Sequence, residues 1–385
     1  MIYRISFELK NNLIFLLVAC TFLLNSSSFS NYIIFTLLFL SFLANFKNIN
    51  KYKIHKYLLF ISLLLSVLVG TLLSNNEVDY LRIGSLLIIF FSFPYQFNFN
   101  VNHYKLLIVI ALYLFVLQVG NGLNIGFISN YISSYYPIEE NVWRYGELKS
   151  VADLVTTRFA GVFYNPNIMG QNMVLLFCFL LKYLKSEHHR KIIKIIVWSL
   201  FFVSILLAGG RTAMITFLII NFFAFRKRIT KKSLVFGIPL LLFGGLFYLP
   251  KLDKLISNFR VFNINAIFSS QGSGSIKLNI LTDWLSQLFI DSNFNIFQVL
   301  FGIGSIHTQF DFDIGYLLQM FGFLGFAVLL GFLIKIYHQS ISSYRFIFFV
   351  FFISIGATLI INFRFSVLIF AILSMYNYKN KLSDE

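Results

Sequence analysis

Charge is scarce in this chain. Asp, Glu, Lys and Arg make up 12% of its 385 residues, about half the share found in a typical soluble domain. That scarcity excludes an ordinary water-soluble fold, and an apolar content of 58% excludes a disordered chain. Cysteine is nearly absent: Cys20 and Cys178 are the two present. No disulfide framework and no cysteine-based metal cluster can be built from them. Proline occurs five times, so long helices meet few interruptions. Acidic residues number 15 against 31 Lys and Arg. The basic residues are spread over many short segments and not gathered in one domain, which argues against nucleic-acid binding.

What is present is long apolar blocks separated by short polar punctuation, with a mean hydropathy of +0.78. Blocks near the ~20 residues needed to cross a hydrocarbon core read as spanning helices. Barrel strands would alternate in character, and these blocks do not. The expected fold class is therefore an all-α polytopic membrane protein, residues 1–385 forming a single integral membrane domain. About 12 transmembrane helices are expected, near 11–25, 32–46, 57–73, 80–97, 104–119, 162–183, 192–208, 212–225, 234–249, 315–336, 346–361 and 365–378. Phe (50) and Tyr (20) are abundant, together with Ile, Asn and Lys, which fits drift in an A+T-rich genome.

Orientation follows from Lys and Arg. With the N-terminus in the cytoplasm, the clusters Lys47–Lys56, Lys182–Lys194 and Arg226–Lys232 all fall inside, as the positive-inside rule requires. Both termini are then cytoplasmic. Leu17-Val18-Ala19-Cys20 has the form of a lipoprotein cleavage box. The apolar run continues through Leu24, however, so Cys20 reads as part of the first span.

Two connections are long, 120–161 and 250–314, and both fall on the outside in this frame. Long connections are uncommon unless they do something, so chemistry on the outer face is expected. The first ends in Arg158-Phe-Ala-Gly161-Val-Phe-Tyr-Asn165-Pro166-Asn167. Pro166 can open the next helix as its first residue. Arg158 would then lie near a helix N-terminus, whose free N–H groups attract anions; a snorkelling arginine is the plain alternative. Gly209-Gly210-Arg211-Thr212 forms almost the whole of another outside turn, and Arg364 lies in a third. Arg260 lies in the second long loop. Outside arginines run against the charge bias, and the guanidinium fork suits a pyrophosphate. Lipid headgroups are the competing partner.

The second long loop holds two amphipathic stretches, 252–262 and 278–290, of the kind that lie at a membrane interface. It closes with Gly302-Ile-Gly304, His307, Asp311, Asp313 and Tyr316-Leu317, followed by Gly322 and Gly325. His307, Asp311 or Asp313 could accept a proton from a sugar hydroxyl. Equally, the two aspartates could cap the following helix.

In their order and placement, Arg158-x-x-Gly161, Asn165-Pro166-Asn167, Gly210-Arg211-Thr212, Gly302-x-Gly304, Asp313, Tyr316-Leu317 and Gly322-x-x-Gly325 resemble the O-antigen polymerase and ligase group of membrane glycosyltransferases. The resemblance implies an enzyme at the outer face of the cytoplasmic (inner) membrane. Such an enzyme transfers glycan from an undecaprenyl pyrophosphate carrier, with no metal and no other cofactor. Arg158 and Arg211 would hold the pyrophosphate, with Arg260, Arg364 and Asn167 as further candidates. Partners would be the lipid-linked glycan, the bilayer and a chain-length regulator protein. Ligases of this group carry a histidine close before the helix that ends the large loop. Here Asp311 and Asp313 stand nearest and His307 lies further back, which favours a repeat-unit polymerase over a ligase. A lipid-linked oligosaccharide flippase is the rival from another class, but it should carry ionisable residues within its spans.

Overall fold

The computed structural model describes residues 2–25, 28–45, 97–136, 144–145, 158–163, 166–186, 191–225, 296–302, 313–339 and 363–376, with isolated helical positions between 57 and 88 and between 279 and 286. The described elements are helices α1 (Ile2–Leu23), α2 (Ser28–Asn45), α3 (Val101–Gly122) and α4 (Gly126–Tyr135), strands β1 (Arg144–Tyr145) and β2 (Arg158–Phe159), then helices α5 (Pro166–Lys185), α6 (Lys191–Ala208), α7 (Arg211–Phe225), α8 (Ile296–Phe301), α9 (Asp313–Gln339) and α10 (Phe363–Tyr376). Among the described residues the fold is helical apart from the two-residue β1–β2 pair.

Three helices, α3, α5 and α6, are long and apolar enough to cross a membrane. At about 1.5 Å per residue, the 22 residues of α3 reach about 33 Å. Apolar helices of this kind mark a membrane protein. Four shorter apolar helices cover Phe29–Ala44, Thr212–Ala224, Gly315–Gly331 and Arg364–Tyr376. The twelve expected spans reduce, among the described residues, to these seven and the more polar α1. The expected spans at 57–73, 80–97, 234–249 and 346–361 lie outside the described residues, apart from isolated positions. α1 starts earlier than its apolar run because Arg4, Glu8 and Lys10 are good helix formers that hydropathy alone does not register. α5 starts later than expected. Gly161 takes a left-handed φ of +62°, and Pro166 disfavours helix at the residue before it, so the helix opens at Pro166.

The chain divides into two units. The first comprises Met1–Leu24, Ser28–Asn100 and Ser270–Glu385. In it α1 packs against both α2 and α10. Arg364, at the start of α10, donates from Nη1 to the Leu24 carbonyl (2.7 Å) and from Nε to Asn31 Oδ1 (3.0 Å). It thereby ties the end of α1 to the start of α2 and satisfies a carbonyl at a helix terminus. Asn11 Oδ1 accepts from the Asn98 amide at 3.4 Å, and Phe15 meets Phe99 edge-on at 5.6 Å. α8 and α9 cross back to back. Gly302 ends α8 at φ +79°, its amide donating to the Gln298 carbonyl at 2.8 Å. Gly322 breaks α9 with φ +64° and ψ −176°. A Cβ on Gly322 would lie 2.4 Å from the Leu300 carbonyl, and one on Gly302 would lie 2.4 Å from the Met320 oxygen. Only two glycines permit this approach.

The second unit comprises Asn25–Ser27 and Val101–Ser269. α5 is its centre: nearly every side chain from Pro166 to Leu184 is buried. It packs against α3, α6, α7 and β2. Phe177, fully buried, stands 5.4 Å from Phe201 and 4.8 Å from Phe217. Where lipid is the solvent, such packing takes over much of the role that hydrophobic burial plays in water. Trp198 stacks on Phe202 at 5.2 Å and donates Nε1–H to Asn221 Oδ1 at 2.8 Å. The outward stripe of α3, Leu106, Val109, Leu112 and Val116, is about half exposed, as a lipid-facing stripe should be. The stretch 120–161, expected as a loop, instead holds the end of α3, helix α4 and the β1–β2 pair. Hydropathy missed α4 because it is short and half polar.

Candidate functional site

The site is built from the second unit. β2 pairs antiparallel with β1, with Arg144 opposite Phe159 and Tyr145 opposite Arg158. The strand is held from below. Phe159 is buried, and its ring fills the space that Gly122 leaves; a Cβ there would stand 2.3 Å from it. Gln118 Nε2 donates to the Phe159 carbonyl (3.3 Å) and to the Ser204 carbonyl (3.0 Å), and Ser204 Oγ donates to Gln118 Oε1. Asn121 Nδ2 donates to the Gly161 carbonyl at 3.4 Å. Gly161 itself turns against Gln118, where a Cβ would lie 3.2 Å from the Gln118 Cα. A buried amide and hydroxyl pair therefore positions the strand that carries Arg158.

After Gly161 the chain enters α5 at Pro166, and Asn167 is exposed in the first turn. α7 begins at Arg211, its first turn closed by the Met214 amide donating to the Gly210 carbonyl (3.0 Å). A Cβ on Gly210 would lie 3.5 Å from Asn167 Oδ1. One on Gly170 would lie 3.0 Å from the Ala213 Cβ. Asn167 thus faces Gly210, Gly170 faces Ala213, and further along Phe177 faces Phe217. The partners advance together, so α5 and α7 run parallel and bring their N-termini to the same end.

Two like dipole ends side by side repel one another, and each carries free N–H donors. Arg211 starts one of these helices, and Arg158 lies on a strand packed against α5 and α6. No Asp or Glu stands at this end among the described residues. Paired helix N-termini of this kind suit an anion with several oxygens. No known protein family, curated protein or solved structure shows a match to the chain.

Arg364 belongs to the first unit, and its two donations to Leu24 and Asn31 make it a tie between α1 and α2. Asp313 is the first residue of α9, also in the first unit. His307, Asp311 and Arg260 lie outside the described residues, as does the amphipathic stretch 252–262. Of the stretch 278–290, positions 279, 282, 283 and 286 are helical and exposed, the polar side of the expected face. Among the described residues no group of three or more His, Cys, Asp or Glu could hold a metal ion. Gln118, Ser204 and Asn121 were not singled out from sequence. Their signal was a lone amide or hydroxyl inside an otherwise apolar block.

Proposed function

We propose that the chain polymerises lipid-linked oligosaccharide repeat units into a surface polysaccharide, O-antigen or capsule. In this reading the protein spans the cytoplasmic membrane about twelve times, with both termini inside and its chemistry on the outer face. The parallel N-termini of α5 and α7, beside Arg158, Arg211 and Asn167, carry the reading. They suit the pyrophosphate of an undecaprenyl pyrophosphate carrier. An acceptor hydroxyl attacks the anomeric carbon of the donor glycan, and the bond from that carbon to the pyrophosphate oxygen breaks. The lipid pyrophosphate leaves with its charge held by the helix ends and arginines. The hydroxyl proton passes to a base, for which Asp313, Asp311 and His307 are the candidates. No metal enters this scheme. A chain-length regulator protein would act alongside it.

A flippase for the same lipid-linked substrate is the second reading. It draws on the break at Gly322, since discontinuous helices are common in transporters. It also draws on Gln319 Oε1, buried near that break with no hydrogen-bond partner among the described residues. A deletion strain complemented with wild type, Arg158→Ala or Arg211→Ala, at matched expression, separates the readings through its surface-glycan ladder. The polymerase reading expects deletion to leave single repeat units on their lipid anchor, with neither variant restoring long chains. Loss of even the single repeat would point to a flippase or a ligase. Full ladders from both alanine variants would remove the arginines from the site.

A further inference from the structure

We propose that α4 is a membrane-surface helix whose aromatic flank, Phe127, Tyr131 and Tyr135, docks on the boundary between lipid headgroups and acyl chains. Three observations carry this.

The first is the division of the helix surface. At roughly 100° per residue, Ile128, Ile132 and Tyr136 share one face and are buried. Phe127, Tyr131 and Tyr135 form a second flank and are exposed by 77, 42 and 41%. Asn130, Ser133 and Ser134 form a third, also exposed. The segment contains no charged residue, so its exposed aromatic flank has no ionic reason to face water. Tyr131 stacks on Tyr135 with rings 5.7 Å apart and 8° from parallel.

The second is the direction in which that flank points. Ile128 packs where a Cβ on Gly120 would stand, 2.1 Å from its Cδ1, so α4 crosses α3 near its end. The Tyr131 hydroxyl meets the Tyr113 hydroxyl at 2.9 Å. Tyr113 lies about two turns, roughly 10 Å, back along α3 from Gly120. The aromatic flank therefore faces down α3, toward the bilayer that α3 crosses, and continues its half-exposed apolar stripe. The bond to Tyr113, helped by partial burial, holds the Tyr131 phenol up to about 12, so it stays neutral beside lipid. Tyrosine at such a depth is the residue expected of an interfacial belt.

The third is the level of the far end. The Tyr135 carbonyl accepts from Asn25 Nδ2 at 2.7 Å. Asn25 opens the polar run Asn25-Ser26-Ser27-Ser28 of the sequence. With its far end held to this polar residue, the proposed helix lies flat at the interface. The proposal does not depend on which side of the membrane α3 ends.

The test uses the full chain in vesicles of phosphatidylethanolamine and phosphatidylglycerol, with Cys20 and Cys178 replaced by alanine. Single cysteines at 127, 131, 135, 130 and 134 each carry a nitroxide, and collisions with oxygen and with a water-soluble nickel chelate are measured. Oxygen should dominate at 127, 131 and 135, at one common depth, and the nickel reagent should dominate at 130 and 134. Nickel dominance at all five positions would overturn the proposal, leaving a flank open to water or to a soluble glycan. Low access to both reagents on the aromatic flank would also overturn it, because a protein then covers the face. Depth increasing steadily from 127 to 135 would replace the flat helix with one that dips into the bilayer.

Discussion

Gly322→Ala is the sharpest probe of the first unit. The native φ of +64° and ψ of −176° lie in a region essentially reserved for glycine, and placing another residue there costs about 1–3 kcal/mol. The new Cβ would also stand 2.4 Å from the Leu300 carbonyl carbon and oxygen and 2.5 Å from the Gly302 nitrogen. These atoms are backbone, so no side-chain rotation relieves the contact. α8 and α9 must separate, and overpacking of this kind costs about 1–3 kcal/mol more. The combined loss, about 2–6 kcal/mol, should lower the thermal midpoint by on the order of 10 °C. The readout is unfolding in detergent, followed by intrinsic fluorescence. Gly302→Ala should behave alike, because its Cβ would meet the Met320 oxygen at 2.4 Å. Gly331→Ala is the control. Its Cβ meets nothing within 4 Å, and alanine in a helix interior should be neutral or stabilise by about 0.5–1 kcal/mol. If Gly322→Ala unfolds with Gly331→Ala and the wild type, the two backbones do not cross as described.

Three other substitutions test separate contacts. Arg364→Ala should lower stability by about 1–3 kcal/mol, and a double-mutant cycle with Asn31→Ala, read by thermal unfolding, should show favourable coupling; full additivity would deny the tie between α1 and α2. Phe177→Ala should cost about 3–5 kcal/mol by leaving a cavity against Phe201 and Phe217, and an unchanged midpoint would mean that α5 is not the centre of its unit. Gln118→Leu should cost about 1–3 kcal/mol by orphaning the Ser204 hydroxyl and should shorten the glycan ladder by loosening β2. Pairing it with Ser204→Ala should recover stability but not chain length, and recovery of both would separate the amide from Arg158.

The membrane class was legible because lipid imposes one crude demand, a long apolar run, and α3, α5 and α6 meet it. Pro166 as a helix opener and the glycines at 302 and 322 were legible as punctuation, since proline and glycine act on their own backbone. The reason for those glycines was not, because it lies in a residue about twenty positions away along the chain. α4 escaped notice because its aromatic flank is set against serines and asparagine, and averaging over the segment cancels the two. The pairing of α5 with α7 was hidden for a different reason: parallel neighbours share no pattern, and only Gly170 against Ala213 shows that small residues let them approach. Arg364 shows the limit of reasoning from charge and side. Its position in a tight turn read as a ligand for phosphate, and its bond to a carbonyl at the end of α1, 340 positions away, is a contact that charge and side do not name.

The crossing of Gly302 and Gly322 also restricts how this gene can drift. Every glycine codon begins with two guanines, and the richness in Phe, Ile, Asn and Lys points to mutational pressure toward adenine and thymine. A first- or second-position change at either codon that leaves a sense codon places a side chain against the opposite main chain. No compensating change at the partner can follow, because the obstacle there is a carbonyl and an amide that every amino acid shares. The two codons are thus locked together without any side chain passing between them, two guanine-rich points held in place while the apolar surfaces around them are free to exchange one hydrophobic residue for another.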